Sequence, residues 1–185
     1  MRLHKSMGII LLATKLTILL MGCSHNPRAI KTTIIERMGA EDDAPSWVHT
    51  GKSMWEDKGK LMAIGMVEVE GDANKNACLE MATLNAKLNL ISYISQSGMK
   101  QATTSIESID SESTYQEIKE TITQGRLEGV NEDSRYFELR LRANQAEVLT
   151  ERLTCYSKIS ISKKIAKKKI KRAITSVEAK GKSNE

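Results

Sequence analysis

Cys78 and Cys155 are the residues of this 185-residue chain whose chemistry is easiest to name. The third cysteine, Cys23, closes an apolar N-terminal run, and once that thiol is consumed the other two are left to each other. In an oxidising compartment they can join as a disulfide. Across so long a loop such a bridge adds about 4 kcal/mol where geometry allows it. Two buried, unpaired thiols satisfy the same residues, because cysteine is commonly a small core side chain. A metal shared between them lacks further ligands at a workable spacing.

Other catalytic equipment is sparse. His4 lies in the N-terminal run and His25 beside Cys23, so His49 is the histidine available to a folded body. Nothing in the sequence favours a Ser-His-Asp site built on it, and no Gly-x-Ser-x-Gly, His-Glu-x-x-His or Cys-x-x-Cys occurs. Glu68 and Glu70 read as the solvated end of a strand. Gly51-Lys52-Ser53 imitates the end of a phosphate-binding loop, but Ser46 stands where that loop needs its first glycine. The remaining chemistry-bearing set is cationic: Lys163, Lys164, Lys167, Lys168, Lys169, Lys171 and Arg172. It reads either as the solvated face of a packed helix or as a contact with anionic headgroups or an acidic neighbouring subunit. Near a charged surface each basic residue is worth about 1 kcal/mol, and seven cations this close repel one another unless something compensates.

The net charge of +5 sums segments of different character. Lys158 to Glu185 holds ten Lys/Arg against two acids, whereas Cys23 to Ser157 holds 15 basic and 21 acidic residues. The body is acidic and its tail basic. Aromatics make up 4% of the chain, which argues against a stacking surface for bases or an aromatic sugar platform. No nucleic-acid partner, cofactor or metal is expected.

Arg2, His4 and Lys5 form a basic start, Met7 to Met21 is largely apolar, and the run ends Leu19-Leu20-Met21-Gly22-Cys23. It is short for a membrane span and is interrupted by Lys15, so residues 1–22 read as a cleaved export signal. An uncleaved anchor with an incidental cysteine is the plainer alternative. Leu20-Met21-Gly22-Cys23 resembles the lipobox of bacterial lipoproteins, which implies acylation of Cys23 and cleavage before it. Ser24 after that cysteine implies sorting to the outer membrane, with the body facing the periplasm. Several acyl chains make such attachment effectively permanent.

These residues need elements to position them. Residues 23–44 carry Asn26-Pro27, Gly39 and the acidic run Glu41-Asp42-Asp43, and read as a tether, with Ile30, Ile34 and Ile35 as a possible short helical turn. The body then spans 45–161, with Trp47 expected as a lid over one end of its core. Leu61 to Val67 enters a core as a strand and Glu68 to Glu70 reaches its rim. Asp72 is a suitable N-cap for a long helix. Ala77, Met81, Leu84, Leu88 and Ile91 lie on one stripe of that helix, and beside it Cys78, Ala82 and Ala86 form a row of small side chains that another element can approach closely. The Ser/Thr-rich stretch from Ser95 to Thr114 reads as a mobile loop or an exposed strand, and Tyr115 to Thr123 as helix. Arg126 to Val130 reads as a short strand, Asn131 to Ser134 as a turn, and Tyr136 to Ala143 as a strand with Glu138, Arg140 and Arg142 on its wet side. Val148 to Ile161 is the last strand, with Cys155 on its apolar face. Residues 162–185 form a basic amphipathic C-terminal helix and tail. The expected class is α+β: an antiparallel sheet of about four strands with a long helix on one face.

A lipobox, Pro45-Ser46-Trp47-Val48, Ala63-Ile64-Gly65 in a strand, a helix with Ala82, Ala86-Lys87, Leu90 and Ile94, and a late Thr154-Cys155-Tyr156 strand followed by a helix together resemble the twenty-kilodalton outer-membrane lipoprotein family (LPP-twenty). That family is related to the flagellar lipoprotein FlgP and to the N-terminal domain of FlgT. The resemblance covers roughly Pro45 to Ile174. It implies a non-enzymatic envelope lipoprotein, in some members a ring or disk subunit of the flagellum, with itself or envelope proteins as partners. A binding module for a small ligand or peptidoglycan is the competing class.

Overall fold

Alternating apolar and polar side chains in long runs build a five-stranded antiparallel sheet, and helices cover one of its faces. The computed structural model describes residues 32–39, 43–71, 73–105, 111–124, 128–143 and 149–181. In chain order the elements are β1 (Thr32–Arg37), a 3-10 turn (Ser46–His49), β2 (Met54–Asp57), β3 (Lys60–Glu70), α1 (Lys75–Ser105), α2 (Ser111–Gln124), β4 (Val130–Ala143), β5 (Leu149–Ser162) and α3 (Lys163–Gly181). The sheet order is β1-β4-β5-β3-β2. The fold is therefore α+β, with five strands where about four are expected.

The additional strands come from segments whose turn-like or linker-like composition is overridden by pairing. β1 lies inside the expected tether: Thr32, Thr33, Ile34 and Ile35 are β-branched and suit a pleated edge, and the segment pairs with β4 from Thr32↔Arg142 to Arg37↔Glu138. Asn131 to Ser134 is not a turn. β4 runs straight through it with a bulge between Glu132 and Ser134, because β5 offers a ladder along its whole length, from Val130↔Ile161 to Ala143↔Leu149. Arg126 and Leu127 of the expected short strand lie outside the described residues, as do Cys23 and Asp72.

Ser95 to Ser105 is helix, correcting the loop or strand expected there. Its hydroxyls fold back on the helix's own carbonyls, Ser97 to Tyr93 at 2.9 Å and Thr103 to Met99 at 3.1 Å. Burial of Ala102 and contact of Gly98 with Ile118 and Ile170 outweigh the modest helix propensity of these residues. The N-terminus of α1 is capped by Asn74, whose Oδ1 accepts from the amides of Asn76 and Ala77 at 2.9 and 3.2 Å. The expected capping residue, Asp72, stands two positions too early.

α1 is also rotated relative to the expected stripe. Met81, Leu84 and Leu88 are 50, 56 and 53% exposed and Ala77 is exposed, while Ile91 of that stripe is buried together with Cys78, Ala82, Ala86, Leu90 and Ile94. The reason is Gly65 in β3. A Cβ on Gly65 would lie 2.0 Å from the carbonyl oxygen of Ala82 and 2.3 Å from the amide nitrogen of Ala86. Helix backbone rests directly on strand backbone, and only the small-residue row permits that approach. The amides of Asn89 and Asn85 then donate to the carbonyls of Ile64 and Met66 at 2.8 and 3.0 Å. Those carbonyls lie on β3 beyond the end of β2, so the helix serves part of the open strand edge.

Leu61, Ala63, Ile159 and Ile161 pack under Leu90 and Ile94, and Ile118, Ile122, Ala166, Ile170 and Ala173 extend this core to α2 and α3. A second cluster, Cys78, Leu79, Ala82, Leu153 and Cys155, lies near the start of α1 with Phe137 and Leu139 against it.

Candidate functional site

The first turn of α1 lies over β5, and there the structure brings Cys78 and Cys155 together as a disulfide with S–S 2.07 Å and Cα–Cα 5.9 Å. Both residues are buried. Beside the bridge, Thr83 Oγ1 lies 2.9 Å from Ser157 Oγ, so the polar atoms under the helix are matched to each other. This is cross-linking chemistry: the thiols carry no free nucleophile and no ligand position.

The face of the sheet turned away from α1 is not simply wet. Tyr136, Glu138 and Arg140 alternate on β4 and so share that face, but Tyr136 and Glu138 are each only 2% exposed. Tyr136 donates to Glu138 Oε1 at 2.7 Å, and Arg140 Nε donates to Glu138 Oε2 at 2.8 Å. Burial pushes the Glu138 carboxyl upward, but the hydrogen bonds from Tyr136 and Arg140 outweigh it and hold the group below its ordinary range. Burial, then the hydrogen bond to Glu138, pushes the Tyr136 phenol up to about 12. A carboxylate with both oxygens engaged is a structural anion and a poor base. Alternation alone puts Glu138 on the wet side; the signal against that is Tyr136 two residues before it, an aromatic that needs cover.

These shifts set a pH dependence. The lowered carboxyl of Glu138 contributes stability above about pH 4.5 that is lost as pH falls through its folded value. The raised phenol of Tyr136 contributes stability that is complete below pH 10.0 and is lost as pH rises toward about 12. Urea denaturation across pH should show both limbs. Glu138→Gln should flatten the acid limb and cost about 1–3 kcal/mol at neutral pH, and Tyr136→Phe should flatten the alkaline one.

The 3-10 turn covers part of the same face. Trp47 is half-buried there, with the Lys158 ammonium 5.3 Å from its ring centroid. It lies over β5, correcting its expected place as a lid on the end of the core. His49 ends that turn exposed. Next to it is an open cleft of about 600 Å³ bounded by Val48, Ile64, Met66, Leu88, Asn85 and Asn89 among others. The sequence marks none of these as a site, because the cleft forms where β2 ends partway along β3, a topological feature. Glu68 and Glu70 both pair with Arg152.

α3 carries the expected cations. Lys163 pairs with Glu56 at 2.6 Å, and Lys169 is half-buried with an interaction of its own. Lys164, Lys167, Lys168, Lys171 and Arg172 are exposed and have no carboxylate partner among the described residues. No group of three His, Cys, Asp or Glu among the described residues is arranged to hold a metal ion. No described helix is long and apolar enough to cross a membrane. No protein-family model, curated protein or solved structure matches this chain.

Proposed function

We propose that this chain is a non-enzymatic bacterial envelope lipoprotein with a structural or assembly role at the outer membrane, periplasm-facing and held there by acyl chains on Cys23. The observation that carries the reading is Leu20-Met21-Gly22-Cys23 at the end of an apolar run behind a basic start. The body supports it. Its buried polar groups include Tyr136, Glu138 and Thr83, engaged with one another or with neighbouring side chains, and a disulfide suits an oxidising compartment. The resemblance to the twenty-kilodalton outer-membrane lipoproteins makes a flagellum-associated ring or disk subunit the specific form of this role.

Cys23→Ala should release the protein from membranes or leave an unprocessed precursor in a fractionated cell. Equal membrane attachment and processing of the variant would count against acylation. A strain lacking the gene should lose motility if the role is flagellar; normal swimming with intact basal structures removes that specialisation. The cleft beside Val48 and Met66 favours a second reading, a module that binds a small ligand or peptidoglycan. Sizing in detergent separates the two, since an assembly subunit runs as large oligomers and a binding module stays small.

A further inference from the structure

Five cations of α3 have no carboxylate partner among the described residues, and they oppose the helix that carries them. Lys164 and Lys168, Lys167 and Lys171, and Lys168 and Arg172 are i,i+4 like-charge pairs, each of which disfavours the helix. The opposite side of α3 cannot turn away to relieve this, because Ala166, Ile170 and Ala173 are buried in the core. The face is thus fixed outward, its charge met by no carboxylate among the described residues.

We propose that the outer face of α3, formed by Lys164, Lys167, Lys168, Lys171 and Arg172, rests on an anionic phospholipid bilayer and gives the lipid-anchored body a second point of attachment. The proposal deepens the lipoprotein reading and rests on it for the membrane within reach. Composition selects lipid over an acidic protein partner. Protein interfaces are depleted in lysine and enriched in aromatic residues and arginine, whereas this face has four lysines, one arginine and no aromatic side chain. Lysine ammoniums are mobile, strongly hydrated point charges, suited to a diffuse layer of headgroup phosphates. An open cleft of about 570 Å³ between the end of α1 and α3 has room for a headgroup; Lys167 and Lys171 flank it, Gln101 and Thr175 line it, and Glu178 is the acid in its lining. Because the apolar side of α3 is committed to the core, the contact is electrostatic and does not insert.

The test uses the full chain as isolated from membranes, placed on phosphatidylcholine vesicles or on vesicles containing phosphatidylglycerol. Amine acetylation followed by mass spectrometry reads each lysine. Lys164, Lys167, Lys168 and Lys171 should label about fivefold or more slowly on the phosphatidylglycerol vesicles, with Lys52 unchanged. Molar salt, which screens charges within about 3 Å, should abolish the difference. Equal labelling on the two surfaces overturns the proposal. Protection that appears in detergent without phospholipid and grows with protein concentration also overturns it, assigning the face to a second copy. Flotation on phosphatidylcholine alone reads the acyl anchor separately. Its failure would sink the lipoprotein reading, while salt-sensitive flotation on phosphatidylglycerol, lost in a variant with all five cations changed to Gln, would still uphold the basic face.

Discussion

Gly65→Ala is expected to destabilise the protein by at least about 3 kcal/mol, the upper end of the usual cost of overpacking. A single methyl does this because its neighbours are main-chain atoms. The Ala82 carbonyl oxygen would be 2.0 Å away and the Ala86 nitrogen 2.3 Å. A crowded side chain can rotate aside, whereas here α1 must lift from β3 as a unit. Lifting it strains the bonds from Asn85 and Asn89 to the strand carbonyls and works against the disulfide at its first turn. For a body of this size the loss should lower the melting temperature by roughly 10 °C. Gly98→Ala is the matched control. Its added Cβ would meet Ile118 Cγ2 at 3.1 Å, a tight contact offset by the better helix propensity of alanine, for a net change within about 1 kcal/mol of zero. Were the two substitutions equally mild by thermal melting, the direct seating of helix on strand would be wrong.

Loss of the Cys78–Cys155 bond should be the other large effect. The sequence separation is 77 residues, and closing a loop of that length removes unfolded-state entropy worth about 4 kcal/mol. The double variant Cys78→Ala, Cys155→Ala should therefore unfold at clearly lower urea concentration than the parent. Reductant added to the native protein should act slowly, since Cys78 and Cys155 are 2% and 0% exposed and the bond is reached only when α1 opens. Intact mass under native, non-reducing conditions should be two hydrogens below that of the reduced chain. A parent whose stability is indifferent to the double substitution would show that these residues serve as small core side chains and no more.

How much of this was legible in the chain varies element by element. β3 was, because a run apolar on both faces followed by Val67, Glu68, Val69 and Glu70 in alternation describes a strand passing from core to rim. β5 and α3 were too, since Leu153, Cys155, Ile159 and Ile161 all fall at even spacings while Ala166, Ile170 and Ala173 repeat near 3.6. β1 and the N-terminal part of β4 were not. Thr32 to Arg37 has little apolar content on a consistent face, and Asn131 to Ser134 has turn chemistry, so only the neighbouring strands make them strands.

The candidate surfaces divide the same way. The Leu-Met-Gly-Cys ending at Cys23 and the cluster of cations from Lys163 to Arg172 are contiguous, so one dimension suffices to find them. The pairing of Cys78 with Cys155, the burial of Glu138 beneath Tyr136 and Arg140, and the cleft where β2 ends are meetings of residues distant in the chain or of faces whose cover lies elsewhere. Periodicity did mark two candidate faces of α1, one of large apolar residues and one of small ones. Only the three-dimensional packing chose between them. Close contact at a glycine strand outweighed the burial of Met81, Leu84 and Leu88, and hydropathy along a chain carries no information about how near two backbones can come.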